Sequence, residues 1–291
     1  MGAVIGSESR DQRKRPALTG LFCFYNNSSH EADGHHAARL SLLNLKTISS
    51  QEVADYLKSC TGVVLPTGSL EQHGPVGLIG TDAICVEAIA QSASEQSSML
   101  VAPVLSYAPA QFNLGFAGTI SLSAETFAKV FTEITTSLMR SGFNRIYVLN
   151  GHGANLAPLK SAVHDLYLKL DDASPTVKIR NWWDFPQVNA LRQQLYGDWE
   201  GLHGTPSEVA ITQDAVRTIT RANASPPQQL SVEELREAAG DYHGPASQHR
   251  KTFADGRVGS YSELAEPEHG ARLVEVAANA LVEEFRAFVS D

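Results

Sequence analysis

The stretch Val63-Val64-Leu65-Pro66-Thr67-Gly68-Ser69-Leu70-Glu71-Gln72-His73-Gly74 joins an apolar run to a loop rich in glycine and polar residues. A short run of β-branched and leucine side chains bounded by turn residues is typical of a buried strand. After the loop, helical periodicity extends from Asp82 to about Ser94. Parallel strands are joined by covering helices, so this order of strand, loop and helix predicts the start of a parallel sheet.

The same alternation continues along the chain. Three further apolar runs predict strands, at residues 99–105, 145–149 and from 177 to 180. Helical patterns lie at residues 123–140, 155–170, 206–216, 231–239 and 268–288. Residues 240–262 are rich in glycine and polar residues, which predicts a long ordered loop. We therefore predict an α/β fold: a single domain with a largely parallel β-sheet and helices on both faces.

Composition limits the classes of function. The chain has 291 residues, of which 43% are hydrophobic and 19% charged, which is enough for a sizeable core. A net charge of -9 disfavours nucleic acid and anionic membrane surfaces and favours a small-molecule partner. No apolar run approaches the roughly 18 residues of a membrane span. Cys23, Cys60 and Cys85 form no paired pattern, which predicts a reducing, cytoplasmic location.

Residues 1–40 mix charged and small polar residues without a sustained period, so we predict a loose N-terminal extension before a domain at 41–291. The segment from His30 to His36 resembles a zinc-protease helix motif. That motif needs its histidines four residues apart on one helix face, whereas His30 and His35 are five apart. We therefore assign it no metal role.

Side chains with metal-ligand chemistry follow the predicted strands. Glu71 and His73 are two residues apart, so in an extended segment both leave the same side. Asp82 opens the next helix, and His152 lies in the glycine-rich loop after residues 145–149. Loops at the carboxyl ends of parallel strands converge, and imidazoles with carboxylates suit zinc, manganese or iron. A carboxylate at Asp82 can bridge two ions.

Structural explanations remain open for each of these residues. Asp82 sits where a helix dipole alone favours an acid, and Glu208 completes a Thr205-Pro206-Ser207-Glu208 capping box. A lone histidine is often a satisfied polar group. Other catalytic templates are absent from the sequence: there is no G-x-S-x-G elbow and no P-loop. Cys85 lies among apolar neighbours and is predicted to be a packed thiol.

Three motifs in order resemble the creatininase (creatinine amidohydrolase) family over roughly residues 46–288: residues 65–74, Gly80-Thr81-Asp82, and Asn150-Gly151-His152-Gly153-Ala154-Asn155. Residues 115–122 resemble the F-P-G-T stretch of that family, with Ala117 in place of proline. The resemblance implies an α/β domain, usually a homohexamer, with two divalent metal ions, zinc and/or manganese with iron as an alternative. It further implies that a metal-activated water hydrolyses a non-peptide C–N bond of a small amide.

The resemblance also assigns roles to residues. The implied metal ligands are Glu71, His73, Asp82, His152 and Glu208, with Asp82 bridging. Glu208 is included because Ala154 stands where creatininase has a ligand glutamate, and we also expect Glu208 to be catalytic. His203 would be the proton shuttle between water and the leaving nitrogen.

Substrate-binding residues are implied less directly. Trp199 occupies the place of a pocket tryptophan, and Trp182 or Trp183 would form another wall, although core packing explains all three equally well. Ala110, Phe112 and Asn113 replace a serine and a Glu-His pair of many relatives, and Leu202 replaces an acid. Asn113 is the polar substrate-binding candidate in this segment. Because apolar replacements leave polar groups of a substrate unpaired, we expect a substrate other than creatinine.

Three functions follow from these residues. The first is a metal-dependent amidohydrolase that acts on a small cyclic or formyl amide. The second is a relative that cleaves a formamide on a pterin or pyrimidine precursor, or that trims a small peptide. The third belongs to another class: a non-catalytic, metal-containing scaffold.

Overall fold

The computed structural model describes residues 43–220, 226–238 and 244–290. The predicted extension, the segment from His30 to His36 and Cys23 lie outside these residues, so the domain boundary at residue 40 stays a prediction. The strands of the described part are β1 (Gly62–Thr67), β2 (Arg145–Asn150) and β3 (Thr176–Asn181). Its helices are α1 (Ser50–Tyr56), α2 (Thr81–Ser97), α3 (Ala124–Arg140), α4 (Leu156–Leu170), α5 (Pro186–Tyr196), α6 (Pro206–Ala215), α7 (Val232–Ala238), α8 (Ala246–Thr252) and α9 (Pro267–Ser290).

The sheet is parallel, in the order β1-β2-β3. The segment 99–105, predicted as a continuous strand, lies beside the free edge of β1 but makes only isolated parallel bridges there, Val64 with Val101 and Thr67 with Leu105. Pro66 of β1 has no N–H group to donate to residues 99–105, which explains the interruption. The prediction of a full strand was therefore wrong, although the segment occupies the place of one.

This arrangement creates a crevice at the carboxyl ends of the strands, between β1 and β2. From β1 the chain passes through α2 to the segment 99–105 on one side of β1, and then through α3 to β2 on the other side. The direction of connection therefore reverses between β1 and β2. In open α/β sheets, ligands bind outside the carboxyl ends of the strands at such a point. The loops that carry the predicted metal ligands leave β1 and β2 here.

Both faces of the sheet are packed. The whole of β1 is buried, and so is Ile146–Asn150 of β2. Consecutive strand residues point to opposite faces, so this burial requires cover on both. On one face Tyr147 packs against Phe285 and Phe288 of α9, with ring centroids 6.2 and 5.9 Å away. Helices α2 and α6 pack beside α9, while α3 and α4 pack against each other. The predicted single α/β domain is confirmed.

Three helices were not predicted: α1, α5 and α8. Two had readable signals, because Ser49 and Glu52 form a capping box before α1, and Pro186 occupies the first turn of α5. Helix α8 lies inside the predicted loop 240–262, so that prediction was wrong. This helix is short, and His249 is its buried residue, which leaves no apolar periodicity to detect. Among the described residues, no helix is long and apolar enough to cross a membrane.

Candidate metal centre

Close backbone approach brings the loops after β1 and β2 to the first turn of α2. A Cβ atom added at Gly68 would lie 2.5 Å from the backbone of Ala83. One added at Gly151 would lie 2.5 Å from the carbonyl oxygen of Asp82. Only glycine fits such distances without displacing backbone. The two loops can therefore press against α2 and place their polar side chains around Asp82.

Asp82 stands at the centre of the five predicted metal ligands. Its Oδ1 atom lies 2.9 Å from His73 Nε2, and its Oδ2 atom lies 3.0 Å from His152 Nδ1. Glu71 Oε1 is 3.0 Å from His152 Nδ1, and Glu208 Oε1 is 3.9 Å from His73 Nε2. Among the described residues a group of Glu71, His73 and His203 also has metal-ligand geometry, but two groups form from the five predicted ligands alone: Glu71 with Asp82 and His152, and His73 with Asp82 and Glu208. In each group the ligand atoms lie within 4.8 Å of one another, and Asp82 belongs to both.

The sequence also suggested purely structural roles for Asp82 and Glu208, and the structure supports that role for Glu208. Helix α2 is preceded by Gly80, and no side chain caps it. The carboxylate of Asp82 instead accepts a hydrogen bond from Ser69 Oγ at 2.7 Å and faces the two histidines. Glu208 does complete the predicted capping box, because Thr205 N donates to Glu208 Oε1 at 2.6 Å. The same oxygen is the one that faces His73.

Hydrogen bonds fix which nitrogen of each histidine faces the carboxylates. His73 Nδ1 lies 3.0 Å from the carbonyl oxygen of Glu71, and His152 Nε2 lies 2.7 Å from that of Pro109. A carbonyl oxygen can only accept, so these nitrogens carry protons that they donate. The opposite nitrogens are the ones beside Asp82. Histidines that bind metals are commonly oriented in this way by a backbone carbonyl.

The donor set fits divalent metal ions. Two imidazoles and three carboxylates suit zinc, manganese and iron. Glu71 Oε1 is buried and accepts no well-aligned hydrogen bond, although it lies close to His152. A buried carboxylate oxygen that accepts no well-aligned hydrogen bond is costly. A cation at this position would remove that cost.

Without a cation, protons on the histidines balance the carboxylates. Burial would raise the pKa of Asp82, but the neighbouring His73 and His152 hold it well below its usual range. Burial would lower the pKa of His73, yet Asp82 and Glu208 raise it to about 10. Burial raises the pKa of Glu208 to about 7. Metal ions would therefore displace protons from this cluster.

His203, the predicted proton shuttle, lies beside the cluster. Its ring is 4.4 Å from that of His73, and its Nδ1 atom is 3.7 Å from Glu71 Oε1. Its Nε2 atom donates to the carbonyl oxygen of Gln72 at 2.6 Å. Burial and the charge on His73 lower the pKa of His203 to about 4. The imidazole is therefore neutral at pH 7, with the lone pair on Nδ1.

Two amides hold Glu71 in place. Asn113 Nδ2 donates to Glu71 Oε2 at 2.7 Å, and Gln72 Nε2 donates to Asn113 Oδ1 at 2.8 Å. Asn113 is fully buried and is not among the residues that line the adjacent cavity, so the structure places this predicted substrate-binding residue behind Glu71. Sequence reasoning missed Gln72, although it lies between two predicted ligands.

A cavity of about 830 Å³ opens onto the cluster. Four predicted ligands and His203 contribute to its wall: Glu71, Asp82, His152, Glu208 and His203. Trp182 and Trp183 also line it, with their rings edge to face at 6.0 Å. Trp199 is not among the lining residues and packs against Tyr261, with ring centroids 5.6 Å apart. Sequence reasoning also missed Arg192 and Glu200, which line the cavity and pair with each other.

Comparison with known proteins places this chain in a protein family. The family model described as creatinine amidohydrolase matches residues 46–285. The chain belongs to the creatininase family. It is 31% identical to creatinine amidohydrolase of Pseudomonas putida over 163 residues, which cover 51% of this chain and 62% of that protein. It is 32% identical to the mycofactocin precursor peptide peptidase of Mycobacterium ulcerans over 120 residues, which cover 38% of this chain and 48% of that protein.

The match thus spans less than two thirds of either curated relative. A solved creatininase in its manganese form has a TM-score of 0.67 at 23% identity, covering 86% of this chain and 99% of that one. At this identity the likeness shows the fold. It agrees with the α/β architecture derived above.

Proposed function

We propose that the chain is a metal-dependent amidohydrolase that cleaves a non-peptide C–N bond in a small cyclic or formyl amide. One observation carries the proposal: two overlapping groups of ligand atoms share the carboxylate of Asp82 at the base of a cavity. Carboxylate-bridged pairs of ions are a common device for hydrolysis. Membership of the creatininase family supports the same reaction class.

Glu71, His73, Asp82, His152 and Glu208 would hold two divalent ions. We propose zinc and/or manganese, with iron as an alternative, from the chemistry of the donor set. The manganese form of a solved creatininase supports this assignment. The chemistry that such ions supply when bound is Lewis acidity, which polarises a carbonyl group and lowers the pKa of water.

His203 would move the proton. Its Nε2–H is committed to the carbonyl oxygen of Gln72, which leaves the lone pair on Nδ1, on the side of Glu71. A neutral imidazole accepts a proton from the attacking water and returns it to the leaving nitrogen, which would otherwise depart as an unstable anion. The position of His203 beside the cavity supports this role.

A backbone hydrogen bond would position Glu208 as a metal ligand. The N–H of Thr205 fixes Oε1, and the carboxylate is nearly buried. Burial raises its pKa to about 7, so it can exist in either protonation state near neutral pH before a cation binds. We propose that it completes the second group of ligands, in place of the glutamate that Ala154 replaces.

A second candidate is cleavage of a small peptide. The 32% identity to a peptidase supports it, and a cavity of about 830 Å³ is larger than a single small ring requires. Cleavage of a formamide on a larger precursor fits the same space. We further propose a homo-oligomer, on the family resemblance, and a reducing compartment, because the three cysteines of the sequence form no paired pattern.

The test measures metal content and turnover together. Purified protein loaded with zinc or manganese should carry two ions per chain and should hydrolyse at least one member of a panel of cyclic amides, formamides, lactones and short peptides. His203→Ala should keep its ions and lose about 10²–10⁴-fold in kcat/KM. His164→Ala, at an exposed histidine of α4, is the matched control and should be unchanged. Full metal loading with no turnover of any compound would favour the scaffold.

A further inference from the structure

Arg192 is a fixed cation in the wall of the cavity. Its Nε atom donates to Glu200 Oε1 at 2.8 Å, and its Nη2 atom lies 2.8 Å from the same oxygen. Nε is also 3.2 Å from Ser207 Oγ. The guanidinium carbon lies 5.8 Å from the centre of the Trp182 ring. An arginine held on one edge by a carboxylate and seated on an aromatic ring has little freedom to reorient.

The other edge of this guanidinium is uncommitted. Arginine has five N–H donors, and the contacts above use Nε and one side of Nη2. Among the described residues, no hydrogen bond reaches Nη1. The side chain is 12% exposed, and Arg192 lines the cavity. The free donors are therefore available to a molecule in the cavity, and a guanidinium offers no acceptor.

A buried polar chain connects Arg192 to the metal-ligand cluster. Ser207 is fully buried, and its hydroxyl also donates to Glu200. Ser207 Oγ lies 3.1 Å from Thr205 Oγ1, and Thr205 N donates to Glu208. The arginine is thus positioned by the same turn that positions a predicted metal ligand. A molecule whose amide lies at the cluster has its remaining atoms within this cavity.

We propose that Arg192 is a substrate-specificity residue, which binds a carboxylate or carbonyl oxygen on the part of the substrate away from the scissile amide. The inference rests on the proposed amidohydrolase function and names its substrate class: amides that carry a second acceptor group. A carboxylate is the stronger ligand because its hydrogen bonds with a guanidinium are charge-assisted and can be bidentate. Glu200 and Ser207 act as positioning residues for Arg192.

Arg180 provides a matched control. It is also paired with a glutamate, with Nη2 2.6 Å from Glu284 Oε1, and its guanidinium carbon lies 5.7 Å from the centre of the Phe185 ring. It is not among the residues that line the cavity. Arg180→Gln therefore removes a similar ion pair and a similar aromatic contact without changing the proposed binding surface.

The experiment measures equilibrium binding to zinc-loaded protein by rapid-mixing tryptophan fluorescence, before turnover. The probes are the N-formyl derivatives of glycine, β-alanine and γ-aminobutyrate, together with their primary amides. The three lengths cover different distances between the formamide and the second group. At the best length, Arg192→Gln should weaken binding by about 10-fold or more, and Arg180→Gln by less than about 2-fold. Weakening of the acids alone identifies a carboxylate, and equal weakening of acids and amides identifies a carbonyl oxygen.

Arg192→Gln leaves the buried carboxylate of Glu200 without its cationic partner and can impair folding. The double variant Arg192→Gln/Glu200→Gln removes both charges and should show the same loss of binding with normal zinc content. Unchanged affinity in the folded variants, or no binding of any probe to the wild type, overturns the inference. Because no turnover is required, a protein that binds the probes through Arg192 but hydrolyses none of them refutes the proposed function alone.

Discussion

Replacing Asp82 with asparagine tests the shared ligand directly. The substitution keeps the size of the side chain and removes one negative charge. The two oxygens of Asp82 lie 2.9 Å from His73 Nε2 and 3.0 Å from His152 Nδ1. Asparagine keeps one oxygen, which is uncharged, so one candidate group loses a donor atom and the other keeps a weaker one. A hydrogen bond or contact to a charged partner is worth about 1.5–3 kcal/mol. Two such contacts would give about 3–6 kcal/mol, so the loss of one and the weakening of the other should lower the combined binding constant for two ions by up to about 10²–10⁴-fold.

The assay is a zinc titration against a competing chelator, with the metal content of the recovered protein measured by atomic emission. Wild-type protein should retain two ions per chain under conditions in which Asp82→Asn retains one or none. Asp184→Asn, at an exposed carboxylate just after β3, is the control and should bind as the wild type does. Thermal unfolding shows that the variant is folded. Two ions retained with unchanged affinity by a folded Asp82→Asn variant would refute the bridging role.

Three further predictions concern the surroundings of the site. Asn113→Ala should leave Glu71 Oε2 without its donor, lowering zinc affinity by about 10–100-fold in the chelator titration, whereas Asn189→Ala, on α5, should not. Gly151→Ala should lower Tm and metal content together, because the added methyl group would lie 2.5 Å from the carbonyl oxygen of Asp82; Gly153→Ala, with no atom within 4 Å of the added carbon, should be tolerated. After a chelator has removed its metal, the protein should lose stability as pH rises from about 6.5 towards 10. Folding raises the pKa of His73 to about 10, and the extra proton on His73 stabilises the folded state only while it is bound. The depressed pKa of Asp82 acts in the opposite sense, so that its contribution disappears as pH falls below about 4. Zinc should consequently raise Tm more at pH 8 than at pH 6, and an equal rise at both values would contradict this account.

The sequence predicted the parts of the fold that rest on local patterns. The apolar runs at β1, β2 and β3 and the capped start of α3 at Ser123 are confirmed because each pattern lies in contiguous residues. The segment 99–105 has the composition of a strand, but its pairing depends on which N–H groups its neighbour offers, and Pro66 offers none. Whether residues 99–105 form a continuous strand therefore depends on how they pair with β1, and the sequence of residues 99–105 alone does not show this.

The site shows the same division. The spacing and the glycine-rich loops nominated Glu71, His73, Asp82 and His152, and the family resemblance added Glu208; the structure brings these five residues together. The role of Asn113 could not be read in the same way, because its partner Glu71 lies 42 residues earlier in the chain. Arg192 was missed for a similar reason: its meaning comes from a cavity that exists only after α5 and α6 have packed.

Glu208 Oε1 has two roles, because it caps the start of α6 and is also a proposed metal ligand. The oxygen that closes the first turn of α6 also faces His73. A metal ion that binds this oxygen competes with the amide proton of Thr205 for its lone pairs. The amide of Thr205 should therefore exchange with solvent at a rate that depends on ion loading, which gives this buried site a reporter within the peptide backbone.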